Sequence, residues 1–192
     1  PLNGARVEGR DAVLAGMGQE LQHRGPDSQG AWIDNTTGLG LVHRRLSIQD
    51  LSPYGAQPMT SPSGRYVIAF NGEIYNFNAL RKDLEASGEV FRGHSDTEVM
   101  LAGFEHWGIE GALDRFNGMF AFALMDRREQ RLYLARDRMG EKPLYYGWQG
   151  NTFLFGSELK ALRQHPDWEG EIDGSVLPLL LRHNLIPAPY FI

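Results

Sequence analysis

The amino-acid sequence predicts an α+β fold in which two stacked antiparallel sheets lie between two outer layers of helices. Three observations lead to this four-layer α/β/β/α sandwich. Apolar runs of strand length occur in pairs separated by short turn sequences, which is typical of antiparallel hairpins. Several runs are apolar without interruption, as in strands covered on both faces. Stretches with a helical spacing of apolar residues alternate with these pairs, and such helices bury one face against a sheet.

The composition excludes several classes of protein before any motif is considered. The chain has 192 residues, a hydrophobic content of 42%, a charged content of 22% and a net charge of -5. Binding of nucleic acid is not favoured, since it needs a basic face. No apolar run reaches the length of a membrane span, so we expect no membrane partner. The sequence contains no cysteine, which excludes disulfides and thiolate metal sites and fits a cytoplasmic protein; no metal site is predicted.

The first part of the chain is predicted to contain one helix and two short strands. Apolar residues at helical spacing indicate a helix over Asp11–His23, which ends at the Gly-Pro that follows. Ala31–Ile33 and Gly38–Val42 are predicted strands on either side of a turn.

The central element of the sequence is an apolar strand, Tyr66–Phe70, that leads directly into Asn71, Gly72 and Glu73. Asn-Gly is usually a turn dipeptide, because both residues tolerate positive φ. A helical pattern over Phe77–Ala86 follows it, rather than a return strand. The strand therefore brings a side-chain amide, a glycine N–H and a carboxylate to one point, and the two donors are what an oxyanion site needs. A hairpin turn beside a surface glutamate is the alternative interpretation.

Two other places combine charge with a defined backbone position. Arg44 and Arg45 continue the strand before them, and strand alternation points them to opposite faces, one toward solvent and one toward a pocket. A buried arginine requires a carboxylate partner, held by its planar fork. Ser95 and Glu98 have the spacing of a capping box, which favours a structural role for Ser95. Asp96 then lies at the positive end of a helix, where it is either stabilised locally or directed at a ligand ammonium.

The second half of the chain supplies the remaining elements. Met119–Met125 is apolar throughout and predicts a buried strand, with Arg131–Ala135 as its partner. Ile186–Pro189 predicts an extended linker, and the chain ends without a terminating signal, as if cut from a longer protein. The other predicted elements are a short strand over Glu89–His94, helices over Val99–Trp107 and Gly111–Phe116, a hairpin of Pro143–Trp148 and Thr152–Phe155, a helix from Ser157 or Glu158 to Arg163, and a helix over Val176–Arg182.

Eight short motifs occur in one order along nearly the whole chain. Together they resemble the glutaminase domain of asparagine-synthetase-type proteins, which are class II glutamine amidotransferases with the N-terminal-nucleophile hydrolase fold. The R-L-S-I-Q-D motif points to the asparagine-synthetase branch of that family. The motifs are H-R-G-P-D at His23–Asp27, R-L-S-I-Q-D at Arg45–Asp50, G-A-Q-P at Gly55–Pro58, N-G-E-I-Y-N at Asn71–Asn76, S-D-T-E at Ser95–Glu98, G-M-F-A-F-A-L at Gly118–Leu124, R-D-x-x-G-x-K-P-L-Y-Y at Arg136–Tyr146 and S-E-L-K-A-L at Ser157–Leu162.

The resemblance implies a reaction and a set of site residues. In this family an N-terminal cysteine, activated by its own α-amino group, attacks the side-chain amide of glutamine, so that ammonia leaves and water then releases glutamate. By resemblance, the Asn71 side-chain amide and the Gly72 N–H would stabilise the oxyanion. Arg45 would hold the α-carboxylate of glutamine, and Glu73 and Asp96 its α-ammonium.

Two other motifs carry expectations of structure rather than of catalysis. Arg136, Asp137 and Lys142 match the family pattern and are expected to form an internal ion-pair network. His23–Asp27 is expected to shape the wall of the pocket.

The resemblance also implies partners. L-glutamine is the expected ligand, and no cofactor is expected in this domain. A C-terminal synthetase domain of the same protein would use ATP and Mg to amidate an acceptor with the ammonia, by default aspartate to asparagine. Residues 1–172 are then the glutaminase domain and residues 173–192 a linker to the synthetase domain, and a homodimer is left open.

One feature departs from the family, which begins Met-Cys-Gly-Ile. This chain begins P-L-N and contains no cysteine at all. Truncation, an unresolved N-terminal segment and natural loss of the nucleophile are the competing explanations. The first two are favoured because Arg45, Asn71, Gly72, Glu73 and Asp96 are all intact. The alternative function is a glutamine-binding or scaffold domain without catalysis.

The 192-residue chain itself should release no ammonia from glutamine, because it contains no thiol to attack the amide. An enzyme-coupled ammonia assay on the purified chain, compared with buffer alone, checks this expectation. Ammonia above the buffer control would contradict it.

Overall fold

The computed structural model describes residues 9–47, 50, 52–170 and 174–184. The strands found there are β1 (Ser28–Ile33), β2 (Gly40–Arg45), β3 (Met59–Thr60), β4 (Tyr66–Ile74), β5 (Gly118–Asp126), β6 (Arg131–Arg136), β7 (Tyr145–Gln149) and β8 (Thr152–Gly156). The α-helices are α1 (Arg10–Glu20), α2 (Phe77–Ala86), α3 (Asp96–Arg115), α4 (Leu159–Leu162) and α5 (Leu177–His183).

A four-stranded antiparallel sheet in the order β3-β4-β5-β6 forms the centre of the fold. β4 and β5 pair along their whole length, from Tyr66 opposite Asp126 to Ile74 opposite Gly118. Their continuous apolar sequences fit this position, because both faces of the two strands are covered by other layers.

Helices α2 and α3 cover one face of this sheet. Every second residue of β4 faces them, including Tyr66, Phe70 and Ile74, and these side chains are buried. Phe104 of α3 lies at the centre of an aromatic cluster, with ring centroids 5.6 Å from Phe116, 5.6 Å from Phe122 and 6.2 Å from Tyr66. Because side chains alternate along a strand, the remaining residues of β4 point to the opposite face of the sheet.

The hairpins β1-β2 and β7-β8 cover the opposite face of the sheet. Val67 and Met125 of the sheet pack there with Leu41 of β2, and Phe155 of β8 borders the same cluster. Helix α1 packs on β2, and α4 packs on β8 and α1. The order of layers is therefore helix, sheet, sheet and helix, as the sequence predicts. Within the described residues, however, the second β layer consists of two separate hairpins rather than one continuous sheet.

Two sequence predictions are wrong in detail. Asn71 and Gly72 form no turn, because β4 continues through them in register with β5 as far as Ile74. The region 89–94 forms no strand; the N–H groups of Arg92 and Gly93 donate instead to the Glu98 carboxylate.

The predicted helices are present, and α2 has the predicted bounds, whereas α1 and α4 end earlier than predicted. The stretches predicted as two helices over 99–107 and 111–116 belong to α3, which is interrupted at Gly108, whose φ is 73°. Pro178 lies in the first turn of α5, where a missing N–H costs no helical bond. The predicted linker over Ile186–Pro189 lies outside the described residues. None of the helices in the described ranges is long and apolar enough to cross a membrane.

Replacing Gly118 by alanine should destabilise the central sheet. A Cβ at this position would collide with the Glu73 carbonyl and lie 2.9 Å from the Ile74 Cα, so that β4 and β5 would have to separate. We expect Gly118→Ala to lower the free energy of unfolding by about 1–3 kcal/mol, the usual cost of overpacking. Urea denaturation measures this loss.

Gly147→Ala is the matched control for this measurement. Gly147 lies in β7, and a Cβ there would meet no atom within 4 Å. Alanine should therefore be neutral or stabilising by up to about 1 kcal/mol, since glycine in a strand costs backbone entropy. Equal losses in the two variants would refute the proposed collision.

Candidate active site

A cavity of about 1610 Å³ lies between the central sheet and the two hairpins. All five residues that the sequence singles out line it, namely Arg45, Asn71, Gly72, Glu73 and Asp96. They come from β2, β4 and the start of α3, so the fold brings together residues that are up to about fifty positions apart in the chain.

The edge of β4 that borders this cavity is only partly paired. β3 pairs with β4 over two residues and then ends. Beyond that point, the Phe70 N–H donates to Gln57 Oε1 at 2.7 Å, and the Ile74 N–H donates to Asp96 Oδ2 at 3.0 Å. Because N–H groups of alternate strand residues point to the same edge, the Gly72 N–H points there too, between the two capped groups. The strand thus presents a main-chain donor at the cavity.

The side chains of Asn71 and Glu73 point away from the helices and toward the hairpins. This follows from strand alternation, since Phe70 and Ile74 on either side are buried in the helix-facing core. The Asn71 Nδ2 atom is buried and has no hydrogen-bond partner among the described residues. A buried amide without a partner costs free energy, and such a group is explained if a ligand completes it.

Asp96 is a buried carboxylate, 6% exposed, in the first turn of α3. Ser95 caps this helix by accepting the Glu98 N–H at 3.3 Å, as the capping-box spacing predicts. Burial raises the pKa of Asp96, and the negative charge of Glu73 raises it further, although the Ile74 N–H opposes this. In the part of the chain that the structure describes, no side-chain cation lies within 4 Å of Asp96. A bound ammonium would relieve this arrangement.

Arg45, the last residue of β2, supplies a positive charge to the same cavity. Its Nη1 donates to the Ser52 carbonyl at 3.1 Å, and its Nη2 donates to the Asp50 carbonyl. A guanidinium has five N–H groups, so these two bonds orient the fork without using all its donors. Arg44 bonds elsewhere, to the Gly25 carbonyl at 2.9 Å, as the predicted alternation requires, but it also lines the cavity.

His43 is a site residue that the sequence analysis missed. It lies two positions before Arg45 on β2 and lines the same cavity. Its Nε2 is 3.0 Å from the Phe70 carbonyl, and because a carbonyl only accepts, Nε2 carries the proton. The Nδ1 atom is buried and unpaired within the described residues. The period of two along β2 is the signal that could have found it.

The electrostatics of His43 follow from this position. Burial lowers its pKa from 6.5 to about 4; the bond to the Phe70 carbonyl opposes the shift, and the charge of Arg45 adds to it. The imidazole is therefore neutral at physiological pH, which avoids a second positive charge beside Arg45.

The predicted ion-pair network of Arg136, Asp137 and Lys142 is wrong. Asp137 instead accepts the N–H groups of Phe120, Glu141 and Lys142 at 2.9 to 3.1 Å, and Arg136 donates to the Lys142 carbonyl. Burial would raise the pKa of Asp137, but these main-chain donors outweigh it and lower the pKa to about 2. The motif therefore holds a loop against β5 through main-chain bonds.

The H-R-G-P-D motif connects several elements at the rim of the site. His23 and Arg24 each lie 3.0 Å from the Glu158 carboxylate, and Arg24 lines the cavity. Asp27 accepts the Ser47 N–H at 2.7 Å. The predicted contribution to the pocket wall thus comes from Arg24, while its neighbours join the hairpin layer to α4.

The arrangement as a whole suits a zwitterion that carries a reacting carbonyl. A cation and two carboxylates can hold charges of both signs, and a side-chain amide and a main-chain N–H can stabilise an oxyanion. The described residues contain no cluster of three His, Asp or Glu side chains that could hold a metal ion.

Comparisons with known proteins agree with this geometry. A family model described as a glutamine amidotransferase domain matches residues 3–192. The glutamine-hydrolysing asparagine synthetase 3 of Bacillus subtilis (strain 168) is 43% identical over 159 residues, which cover 82% of this chain and 25% of the relative. Asparagine synthetase 1 of the same strain, also glutamine-hydrolysing, is 40% identical over 185 residues, which cover 96% of this chain and 28% of the relative. The chain thus spans about a quarter of the length of these relatives.

A solved structure supports the fold. Glutamine phosphoribosylpyrophosphate amidotransferase from B. subtilis, in complex with ADP and GMP, superposes with a TM-score of 0.67 at 24% identity, covering 78% of this chain and 40% of that chain. At this identity the likeness concerns the architecture alone, and it confirms the predicted sandwich of the N-terminal-nucleophile hydrolase type.

The stability of the protein should fall between pH 6.5 and pH 4 because of His43. The unfolded chain binds a proton at the ordinary pKa of 6.5, whereas the folded chain does so only near 4. The contribution is complete above pH 6.5 and is lost as the pH falls, by at most about 3 kcal/mol of unfolding free energy. Urea denaturation across this range measures the slope.

The matched variant for this measurement is His43→Gln, whose amide can still donate to the Phe70 carbonyl. Its unfolding free energy should depend less steeply on pH over the same interval. Parallel curves for the two proteins would show that His43 is not buried in its neutral form.

Proposed function

The chain belongs to the family of glutamine amidotransferase domains, and from this premise we propose that its cavity binds free L-glutamine and hydrolyses the side-chain amide when a nucleophile is supplied. The observation that carries the proposal is the meeting of Arg45, Asp96 and the unpaired Asn71 amide in one cavity. Each of these groups matches one part of glutamine: its α-carboxylate, its α-ammonium and its amide oxygen.

Recognition rests on charges of both signs. Arg45 holds the α-carboxylate with N–H groups of its fork, and Asp96 with Glu73 holds the α-ammonium. Each ligand charge needs a partner when it leaves water, and Asp96 itself gains a counter-charge. A glutamine within a peptide has neither charge, so the site selects the free amino acid.

Catalysis depends on hydrogen-bond donors that stabilise the negative charge formed on the amide oxygen in the transition state. The nucleophile is the N-terminal cysteine of the family, which this chain does not contain; its sulfur adds to the amide carbon, and the amide oxygen becomes an oxyanion. The Asn71 Nδ2 and the Gly72 N–H stabilise this oxygen, and each such donor typically lowers the barrier by about 3–4 kcal/mol. The α-amino group of the cysteine takes up the thiol proton and passes it to the amide nitrogen, so that the C–N bond breaks, ammonia leaves and a thioester forms; water then cleaves the thioester, which releases glutamate and restores the thiol.

The ammonia is the nitrogen source for a second domain of the same protein. The two relatives are named as glutamine-hydrolysing asparagine synthetases, and this chain spans only about a quarter of their length. Residues 1–172 then form the glutaminase domain and residues 173–192 a linker. A C-terminal synthetase domain uses ATP and Mg to amidate an acceptor, by default aspartate, while the glutaminase domain itself needs no cofactor.

A glutamine-binding domain without catalysis is the competing function, and the start of the gene distinguishes the two. A reading frame that opens Met-Cys-Gly ahead of this chain supports the hydrolase. An opening without cysteine, together with glutamine binding and no turnover, supports the binding domain.

Replacing Arg45 by lysine in the full-length protein should impair use of glutamine but not of ammonia. Lysine keeps the charge but loses the planar fork that grips a carboxylate. We expect kcat/KM for glutamine to fall by roughly thirty- to several-thousand-fold, corresponding to about 2–5 kcal/mol. Synthesis from ammonium salt, which bypasses the cavity, should change little. Equal impairment of both routes would assign Arg45 a structural role.

Asn71→Ala is the companion variant and should differ in kind. Its amide meets charge that appears only in the transition state, so its loss should lower kcat for glutamine while KM changes little. Steady-state kinetics with glutamine separate the two effects. An increase in KM alone would place Asn71 in ground-state binding instead.

A further inference from the structure

Asp50, the last residue of the R-L-S-I-Q-D motif, has no role in the reaction proposed above. It is 6% exposed and lines the cavity. The ion pairs among the described residues do not include it. A buried carboxylate of this kind requires compensation, since burying an unpaired charge is costly.

Main-chain N–H groups provide that compensation. Asp50 Oδ1 accepts the Ser52 N–H at 2.8 Å, and Oδ2 accepts the His94 N–H at 2.9 Å. Burial would raise the pKa of Asp50, but the Ser52 side chain, the two main-chain bonds and the charge of Arg45 outweigh it and lower the pKa. The carboxylate is therefore charged at neutral pH and bound at both oxygens.

Asp50 Oδ1 bonds to a segment that also holds Arg45. The carbonyls of Asp50 and Ser52 accept from the two terminal nitrogens of the guanidinium. Gly55 closes the other side, because a Cβ there would collide with Arg45 Nη2. Through Oδ1, Asp50 thus holds the main chain of Ser52, whose carbonyl orients the fork of Arg45.

Asp50 Oδ2 bonds to the segment that leads into Asp96. His94 lies two residues before Asp96, and Ser95 between them caps helix α3. The bond from His94 therefore connects the residues that hold Arg45 to the start of helix α3, which carries Asp96. Gly93 leaves room for it, since a Cβ there would lie 2.8 Å from Asp50 Oδ2.

We infer that Asp50 is a positioning residue that sets the distance between Arg45 and Asp96, and so makes the site selective for ligands with both a free α-carboxylate and a free α-ammonium. This inference rests on the proposed function, because it concerns the same two charges. Asp50 does not contact the ligand; it joins two segments through main-chain bonds. A ligand that bridges both charges gains from a fixed spacing, whereas a ligand with one charge does not.

The test is Asp50→Asn in the full-length protein with its N-terminal cysteine. Asparagine keeps one acceptor oxygen, but its NH₂ faces an N–H donor, so one of the two segments loses its bond. We expect KM for glutamine to rise by about 5- to 150-fold while kcat changes little. The ratio of kcat/KM for glutamine to that for 4-carbamoylbutanoate, which lacks the ammonium, should fall by about tenfold or more.

Gly93→Ala is the second variant, in case Asp50→Asn does not fold. Its methyl group would press on Asp50 Oδ2 without removing the charge. KM and the selectivity ratio should shift in the same direction, by a smaller factor.

Asp126→Asn is the matched control. Asp126 is also a buried carboxylate, 1% exposed, that accepts two main-chain N–H groups, from Arg128 and Glu129, and it is not among the residues that line the cavity. Unlike Asp50, it also forms an ion pair, with Arg65 Nη2 at 2.7 Å, so its loss should cost stability at least as much. It should lower the stability of the protein but leave KM and the selectivity ratio near those of the wild type.

The outcomes separate this inference from the function on which it rests. Changes of KM and selectivity in the Asp50 and Gly93 variants that are no larger than those of the Asp126 control would overturn it. A wild-type protein with its cysteine that does not hydrolyse glutamine would overturn the proposed function instead. In that case, calorimetric affinities for glutamine and 4-carbamoylbutanoate in the same variants still decide the role of Asp50.

Discussion

The cavity depends on the edge of β4, where the strand extends beyond its short neighbour β3. Main-chain N–H groups at such an edge must find partners, because leaving them buried and unpaired is costly. Side chains cap two of them, Gln57 at Phe70 and Asp96 at Ile74. Gly72 lies between the two capped positions. Asp96 therefore has two roles, since the same carboxylate satisfies the strand edge and faces the cavity, and the fold itself places it beside the donors of β4.

The buried carboxylates show how the fold distinguishes structure from function. Asp50, Asp126 and Asp137 each accept two or three main-chain N–H groups, Asp126 also pairs with Arg65, and the pKa values of all three are lowered. Asp96 is buried to a similar degree, but burial and the nearby charge of Glu73 raise its pKa. The charge of the first three is compensated within the protein. That of Asp96 is only partly compensated, by the Ile74 N–H and by Thr97, and its pKa stays raised, which is the electrostatic condition for binding a cation.

Much of the site could be predicted because it lies on regular elements. Alternation along β2 separated Arg44 from Arg45, and the capping-box spacing placed Ser95 and Asp96 at the start of a helix. His43 could have been found in the same way, since it shares the face of Arg45. Errors arose where local signals compete with distant partners. Asn-Gly favours a turn locally, but pairing with β5 extends the strand through it.

The sequence by itself determined the layers, the hairpins and the residue types of the site, because these follow from apolar periodicity and from motifs that are local in the chain. The tertiary structure alone decided how the polar groups pair. It showed that Asp137 binds main-chain N–H groups rather than arginine or lysine, and that Asp50 joins the segments of Arg45 and Asp96. Two of these bonds, from Phe120 to Asp137 and from His94 to Asp50, connect residues 17 and 44 positions apart in the chain, and their geometry depends on how the layers pack rather than on any local preference.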